Sequence, residues 1–335
     1  MIYPSKLKLN DTIGIVAVSD GANLSKIDYS IRNFENIGFK IVETPHARNS
    51  KYLVSSSGKT RAEEFMNLWK SDRISCIISA RGGEFLMEML PYLDKYKNEI
   101  LKYKTKWVQG FSDTSLLLYY LTTNFNIATI HAGNFGEFSM KEFHESLKDN
   151  IRFLTRNEEF VQNSFSRYQI EEKEDDPQNG YNLTEDVKYK LIDNEKKAQF
   201  SGRLIGGCID ILSILLGTKY DNTVKFCNQF EEGMIWYIDN YEMNAAELHR
   251  RLWQMREAGW FNNVKGFLFG RSYGGNKIGD FGFLEAIHYS LEDIGVPIIY
   301  DVDIGHLPPQ FTIINGAYTE VEYNEGKATI IQKLI

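Results

Sequence analysis

The residues with the clearest capacity for chemistry lie at positions 110–115, which read Gly-Phe-Ser-Asp-Thr-Ser. Trp107 and Val108 before them close an apolar run typical of a buried strand, and the apolar residues 116–121 predict a helix packed on a core. A serine at a sharp turn from strand to helix is how α/β hydrolases expose a nucleophilic hydroxyl above their sheet. The unpaired N–H groups at the start of the helix would then face the oxyanion formed when Ser112 attacks a carbonyl.

A helix cap is the plainer interpretation of the same residues. Ser112, Asp113 or Thr114 could accept a hydrogen bond from the first turn of the helix, which is the commonest role of these residue types. A catalytic role therefore requires other reactive groups that reach the same site.

A base is the first of these groups, because a serine hydroxyl is a weak nucleophile at its free pKa. His306 follows a predicted strand and is held between Gly305 and the rigid pair Pro308-Pro309. His131 lies in a predicted strand of the same half of the chain as Ser112 and is a rival. The other histidines lie in predicted helices or have no motif around them: His46, His144, His249 and His288. A structural role is the alternative for each of them.

A carboxylate that orients the base would complete a triad. Asp239 ends the predicted strand at 234–238 and could hold the His306 imidazole and compensate its charge. The alternatives are that Asp239 is an N-cap or a simple strand-end carboxylate. Glu242 stands close by in the sequence and competes for the same role.

The first half of the chain alternates predicted strands and helices. The strands are at 13–18, 39–42, 74–78, 107–108 and 128–132, and the helices are at 24–37, 60–69, 86–93, 116–121 and 141–154. Alternation at this spacing predicts right-handed βαβ units in a doubly wound parallel sheet, whose ligands bind beyond the carboxyl ends of the strands. Ser19, Arg81 and Ser112 all follow strand ends, so they share that edge of the sheet.

The sequence Arg81-Gly82-Gly83 between a strand and a helix has two interpretations. Paired glycines often only form a tight turn. Alternatively, Gly83 lets a backbone N–H approach the reacting carbonyl, while Arg81 and Gly82 are candidates for substrate binding. A nucleotide-phosphate loop is disfavoured, because the sequence has neither a G-x-G-x-x-G nor a Walker pattern.

The bulk composition limits the class of protein. A length of 335 residues predicts two domains, and 43% hydrophobic with 25% charged residues is typical of a globular protein. The net charge of −7, without a basic stripe, argues against a nucleic-acid partner. Three cysteines without metal-ligand spacing predict a reduced cytosol and no metal or other cofactor. The sequence has no apolar span of membrane length and no signal peptide, so we expect a cytoplasmic protein without a membrane partner.

The composition changes at residues 156–197, which are polar and include five acids and one lysine at 171–176. We interpret this segment as a mostly solvated linker with an inserted hairpin, which could also act as a lid over a site. The predicted division is a first domain at 1–155, a linker at 156–200 and a second domain at 201–335. In the second domain the predicted strands are at 234–238, 266–270 and 297–300, the predicted helices start near 209, 244 and 281, and residues 311–331 form antiparallel strands.

Several motifs occur in one order along the chain. They are Arg81-Gly82-Gly83, Gly110-Phe111-Ser112-Asp113, Gly206-Gly207, Ile238-Asp239, Arg250-Arg251-Leu252-Trp253-Gln254-Met255 and Gly305-His306. In these motifs and their order the chain resembles the LD-carboxypeptidase family of serine peptidases, which includes muramoyl-tetrapeptide carboxypeptidases and microcin C self-immunity proteins. The resemblance runs from the first predicted strand to the last.

The resemblance implies a Rossmann-like N-terminal domain, a smaller mixed α/β C-terminal domain, no metal and a homodimer. It also implies a Ser-Glu-His triad whose nucleophile falls on Ser112 and whose base falls on His306. The oxyanion donors fall on the backbone N–H groups of Gly83 and Asp113. The glutamate of the family falls on Asp239, which keeps the charge but is one methylene shorter, so Asp239→Glu would be expected to retain activity.

Three functions follow as hypotheses. The first is a serine carboxypeptidase that cuts the L,D-amide bond of murein tetrapeptide during cell-wall recycling. The second is a microcin C-type immunity hydrolase of peptidyl or aminoacyl nucleotides, which the long segment 156–197 favours. The third is a non-catalytic binder of muropeptide or nucleotide, and only Asp239 favours it.

Overall fold

The computed structural model describes residues 1–173 and 176–335, and the chain divides into two compact units within them. The first unit contains Met1–Glu158 and Glu172–Tyr181, and the second contains Glu159–Glu171 and Asn182–Ile335. The second unit, expected to be the smaller, is nearly as long as the first. Glu174 and Asp175, which belong to the acidic run at 171–176, lie outside the described residues.

The first unit is an alternation of strands and helices. Its strands are β1 (Thr12–Val16), β2 (Lys40–Glu43), β3 (Ile74–Ser79), β4 (Trp107–Gly110) and β5 (Thr129–His131). Its helices are α1 (Leu24–Ile37), α2 (Gly58–Lys70), α3 (Leu90–Leu93), α4 (Lys97–Ile100), α5 (Ser115–Phe125) and α6 (Glu145–Thr155). The bounds of α1 agree with the prediction, because Asn23 caps its first turn and Gly38, at a φ of 107°, ends it.

The strands of the first unit are parallel and run in the order β5-β4-β3-β1-β2. The strand order reverses direction between β1 and β3, and open parallel sheets bind ligands at such a switch point, beyond the carboxyl ends of the strands. Ser19 follows β1 and Arg81 follows β3, so both lie at this point. The predicted α/β class with a parallel sheet is confirmed.

The second unit is built on a mixed sheet. Its strands are β6 (Phe160–Asn163), β7 (Arg167–Tyr168), β8 (Glu185–Asp186), β9 (Lys190–Leu191), β10 (Lys197–Cys208), β11 (Met234–Asp239), β12 (Val264–Gly270), β13 (Ile298–Val302), β14 (Ile313–Asn315), β15 (Tyr318–Asn324) and β16 (Lys327–Lys333). Its helices are α7 (Ile209–Leu212), α8 (Thr223–Cys227), α9 (Ala245–Glu257) and α10 (Phe283–Leu291). The larger sheet has the order β6-β16-β15-β10-β11-β12-β13-β9.

In that sheet β10 to β13 are parallel neighbours, whereas β15 and β16 form the predicted antiparallel pair, with Asn324 opposite Lys327 at its turn. Helix α9 begins with a capping box between Asn244 and Glu247. Its predicted apolar face is buried and consists of Ala245, Leu248, Leu252 and Met255. The long central strands and the capped helix place Asp239 at a fixed strand end.

Most described residues of the segment 156–197 are exposed, as predicted, but parts of the segment also belong to the large sheet, which the sequence did not indicate. Strand β6 pairs with β16 and β9 pairs with β13, so both join the large sheet. Phe160, Tyr189 and Leu191 are buried. Alternation over strands of two to four residues is too short to distinguish them from a polar loop in the sequence. The segment also contains an antiparallel pair, β7 with β8.

Two predicted helices are shorter and tighter than expected. Residues 86–93 form a 3₁₀ turn over Leu86–Met89 followed by α3, where Pro91 lacks an N–H and fits only the first turn. Residues 209–216 form α7 followed by a 3₁₀ turn over Ser213–Leu215. Within the described parts of the chain, no helix combines the length and apolar character needed to cross a membrane.

Candidate active site

Ser112 occupies a strained turn between β4 and α5. Its φ is 61°, in the left-handed region that costs a residue with a side chain about 1–2 kcal/mol. The chain leaves β4 at Gly110, makes one 3₁₀ turn over Ser112–Thr114 and enters α5 at Ser115. The Ser112 side chain is half-buried. Strand–turn–helix elbows with this geometry present the nucleophilic serine in α/β hydrolases.

Neighbouring groups hold this elbow in place. The Phe111 N–H donates to Asn134 Oδ1 at 3.2 Å, and the Thr114 hydroxyl donates to Ser79 Oγ at 2.9 Å. A side chain at Gly82 would meet Ser112, because an added Cβ would lie 3.0 Å from Ser112 Oγ. The loop after β3 therefore touches Ser112 directly, and a side chain at position 82 would require Ser112 to shift.

The predicted oxyanion donors lie on either side of this contact. Gly83 has a φ of 150°, and its backbone faces Ser19 and Asp20 so closely that an added Cβ would overlap both. The N–H of Asp113 belongs to the first turn after the strand, where backbone donors have no partner within the helix. Arg81 is 63% exposed and its Nη1 lies 3.4 Å from Asp20 Oδ2, so its guanidinium stays accessible.

His131, the rival base, is fully buried in β5. Its Nδ1 lies 3.4 Å from Oγ of Ser115, and its ring meets Phe111 edge-on. A fully buried imidazole beside Ser115 is placed as a core histidine. The other candidates have contacts of their own: His46 with Glu64, His144 with Ser146, His249 with Ser290 and His288 with Glu292.

In the second unit His306 contacts the carboxylate predicted to orient it. His306 Nδ1 lies 2.7 Å from Asp239 Oδ2, and the Asp239 side chain is fully buried. Asp239 is the last residue of β11 and stands beside Cys208 of β10 in the sheet register. Glu242, the competitor, is exposed, and its N–H donates to Asp210. The structure therefore brings Asp239, and not Glu242, to the imidazole.

A buried arginine fixes the loop that carries His306. Arg271 Nη2 donates to the carbonyl oxygens of Leu307 at 2.9 Å and Pro309 at 3.1 Å. Its Nη1 forms an ion pair of 2.5 Å with Asp303, which also accepts a hydrogen bond from the Tyr189 hydroxyl. Sequence reasoning missed Arg271, although it follows directly on β12 and so stands at a strand end like the other site residues.

An aromatic stack, which we call the Tyr241–Tyr273 shelf, extends from the imidazole. The rings of Tyr241 and His306 stack at 4.1 Å, and Tyr273 stacks on Tyr241 at 5.3 Å. Tyr273 is 59% exposed. Asp210 holds the backbone of this loop by accepting hydrogen bonds from the N–H groups of Tyr241, Glu242 and Met243. Sequence reasoning did not predict the shelf.

Gly305 lies directly against the His306–Asp239 pair. It has a φ of 92°, and an added Cβ would overlap the Asp239 carboxylate. Gly305→Ala is therefore expected to displace Asp239 and to lower the free energy of unfolding by about 2–5 kcal/mol, the sum of backbone strain and overpacking. Thermal melts together with hydrolysis assays check this.

Gly295→Ala is the matched control, because Gly295 has a φ of 72° but nothing within 4 Å of an added Cβ. It should show only the strain cost of about 1–2 kcal/mol and unchanged hydrolysis. Equal behaviour of the two variants would mean that Gly305 does not constrain the pair.

No group of three or more potential metal ligands occurs within residues 1–173 and 176–335. The three cysteines are buried and unbridged, and burial raises the pKa of Cys227 to about 12. Cys227 is therefore not a candidate for a thiolate nucleophile.

The sequence and fold match known proteins over almost the whole chain. The sequence model of the LD-carboxypeptidase N-terminal domain matches residues 13–132, and that of the LD-carboxypeptidase C-terminal domain matches residues 201–321. The microcin C7 self-immunity protein MccF of Escherichia coli is 23% identical over 355 residues, covering 100% of this chain and 97% of the relative. A Bacillus subtilis protein named as a probable murein peptide carboxypeptidase is 20% identical, covering 98% of this chain and 93% of the relative.

Solved structures share the fold. An MccF-like protein from Bacillus anthracis superimposes with a TM-score of 0.84 at 21% identity, covering 99% of both chains. MccF in complex with glutamyl sulfamoyl guanosine gives a TM-score of 0.83 at 20% identity, again covering 99% of both chains. At this level of identity the likeness establishes the two-domain α/β architecture.

Proposed function

The chain belongs to the LD-carboxypeptidase family, and from that premise we propose that it is a serine peptidase with Ser112, His306 and Asp239 as its catalytic residues. The observation that carries the proposal is the left-handed conformation of Ser112 at the turn from β4 to α5. Such strain persists where the surrounding structure maintains it for function. The contact of Asp239 with His306 Nδ1 adds independent support.

Each group then has a defined role in amide hydrolysis. Ser112 Oγ attacks the carbonyl carbon and gives its proton to His306. Because His306 Nδ1 contacts Asp239, Nε2 is the nitrogen that takes this proton. The N–H groups of Gly83 and Asp113 stabilise the oxyanion. His306 then protonates the leaving nitrogen, and water hydrolyses the acyl-enzyme by the same steps in reverse order.

For the substrate we propose an amino acid or peptide joined through an amide to a nucleotide. The Tyr241–Tyr273 shelf supports this class, because an exposed aromatic face stacks on a nucleobase, and base–aromatic stacking contributes about 1–3 kcal/mol. Related proteins support it too, since MccF structures contain glutamyl sulfamoyl guanosine and aspartyl sulfamoyl adenosine.

Murein tetrapeptide is the second candidate substrate. The description of the family as LD-carboxypeptidases and the Bacillus subtilis relative named for murein peptide support it. A peptide without an aromatic group gains little from the shelf, so the two substrates place different demands on Tyr273.

Parallel assays separate the candidates. We expect release of the amino acid from aspartyl sulfamoyl adenosine at a kcat/KM at least about 10-fold above D-alanine release from murein tetrapeptide, since stacking of this size corresponds to roughly 10–100-fold in affinity. Tyr273→Ala should raise KM for the nucleotide substrate by about that factor and leave the tetrapeptide reaction unchanged.

Tyr289→Ala is the matched control, because Tyr289 is 70% exposed on α10, and both reactions should stay unchanged. A higher kcat/KM on tetrapeptide would instead identify murein tetrapeptide as the better substrate. If the unmodified protein binds either ligand but hydrolyses neither, the peptidase proposal is wrong and the chain is a binding protein.

A further inference from the structure

Two buried charged side chains in the first unit have no role in the proposed reaction. Arg61 on α2 is fully buried, and the side chain of Asp113, next to the nucleophile, is 3% exposed. Burying a charged group costs desolvation free energy, which its hydrogen bonds must first offset. Stability alone therefore does not explain why these charges lie behind the elbow, and their hydrogen bonds suggest another reason.

Asp113 joins the elbow to two other loops. Its Oδ2 accepts a hydrogen bond from the Ser19 hydroxyl, beyond β1, and another of 2.9 Å from the Leu86 N–H, beyond β3. Burial raises the pKa of Asp113, while these two hydrogen bonds and the charge of Arg61 oppose that rise. One carboxylate thus ties together the carboxyl ends of β1, β3 and β4.

Arg61 joins the same two loops. Its Nη1 donates to the carbonyl oxygens of Val18 and Phe85, both at 3.1 Å, and its Nη2 donates to Glu88 at 2.9 Å. Val18 and Phe85 are the residues directly before Ser19 and Leu86, the two donors to Asp113. The guanidinium and the carboxylate therefore hold the two ends of one peptide unit, Phe85–Leu86, in the loop after β3. In the loop after β1 they hold the Val18 carbonyl and the neighbouring Ser19 hydroxyl.

Gly82 and Gly83 lie in the loop after β3, just before the Phe85–Leu86 peptide unit that Arg61 and Asp113 hold. The Asp20 N–H donates to the Gly82 carbonyl at 3.1 Å, which adds a third link between the loops. Gly82 touches Ser112, and Gly83 faces the Ser19 hydroxyl. A shift of the Phe85–Leu86 unit would accordingly move the Gly83 N–H relative to Ser112 Oγ.

We propose that Ser19, Arg61 and the Asp113 carboxylate are positioning residues that hold the loop at 81–85 against the elbow and so place the Gly83 N–H for the oxyanion. The catalytic part of this proposal rests on the proposed peptidase function. A displacement of about 1 Å at a reacting centre costs on the order of 10²-fold in rate, so a small loosening of the loop has a large effect on turnover.

Ser19→Ala is the test, because it removes one hydroxyl and leaves both buried charges in place. Ser30→Ala is the matched control, since Ser30 is also fully buried and donates a single hydrogen bond of 2.9 Å, to Lys26 O in α1. In Ser19→Ala we expect kcat to fall about 10–100-fold with KM within about 2-fold. We also expect amide hydrogen exchange at 82–86 to speed up about 10-fold or more, which Ser30→Ala should not show.

Asp113→Asn is the second variant and keeps the backbone N–H while weakening the acceptor. It should show the same loop exchange and the same split between kcat and KM, with a melting temperature near that of Ser19→Ala. If Arg61 variants fail to fold, these two variants still decide the question.

Unchanged exchange at 82–86 in Ser19→Ala overturns the proposal whatever the protein hydrolyses. Faster exchange with unchanged kcat also overturns it, because the three groups would then serve only stability. Full activity in Ser112→Ala would refute the peptidase function instead, and in that case the exchange data still show whether Ser19 and Asp113 hold the loop.

Discussion

Replacing Ser112 with alanine is expected to lower kcat for amide hydrolysis by about 10⁴–10⁶-fold, the range found when a triad nucleophile is removed. The melting temperature should stay nearly unchanged, because the Ser112 side chain is only half-buried and alanine can adopt the same backbone conformation as serine. Initial rates on the better substrate and a thermal melt measure both quantities.

Ser115→Ala is the control for this loss. Ser115 is a buried serine three residues further on, at the start of α5. Its Oγ lies 3.4 Å from His131 Nδ1. Its replacement should leave kcat within about 3-fold, the effect of a change that touches no reacting group. Hydrolysis retained in Ser112→Ala would end the serine peptidase proposal, whatever the control shows.

Asp239→Asn is expected to lower kcat by about 10²–10⁴-fold and to change KM little. In the proposed mechanism the carboxylate stabilises the imidazolium that forms as Ser112 attacks. An amide at the same place presents no negative charge to His306 Nδ1, 2.7 Å away. Steady-state kinetics with the two parameters resolved measure this effect. A rise in KM without loss of kcat would show that Asp239 binds substrate rather than orienting the base.

Glu242→Gln is the matched control, because Glu242 is an exposed carboxylate three residues from Asp239. It should leave kcat within about 2-fold, as surface charges of this kind usually do. If Glu242→Gln were damaging and Asp239→Asn silent, Glu242 would be the third member of the triad.

The structure changes the expectation for Asp239→Glu. From the sequence, Asp239→Glu was expected to retain activity, because glutamate is the residue of the family at this position. In the fold Asp239 is fully buried, already contacts His306 and lies directly against Gly305. A further methylene has no space there, so we expect Asp239→Glu to lose about 10-fold or more in kcat through overpacking and misplacement of the imidazole.

Much of the first unit could be predicted because its signals are local. A run such as Ile13 to Val16 is apolar at every position only when a strand is covered on both faces, and α1 has a cap at each end. The elbow at Ser112 could be recognised for the same reason, since glycine, serine and the following helix are neighbours in sequence.

The second unit was harder because its determinants are distant in sequence. Nothing near Tyr189 indicates that its hydroxyl bonds Asp303, 114 residues away. Arg271 holds the His306 loop through hydrogen bonds to the Leu307 and Pro309 carbonyls, and Tyr241 stacks on the imidazole. Neither contact leaves a periodic pattern in the sequence. The short strands β6 and β9 form by pairing with β16 and β13 of the large sheet. Their own sequences carry no strand pattern, so the segment at 156–197 resembled a linker.

The left-handed conformation of Ser112 also makes the elbow a marker of natural selection. Glycine adopts a φ of 61° without the penalty that serine carries, so mutation towards glycine would relieve the fold at once. Under the proposed function, the need for the Ser112 hydroxyl opposes that drift. Among descendants of this chain, those that have lost hydrolysis should be the ones in which position 112 is free to become glycine, and a serine there should identify lineages whose chemistry is still under selection.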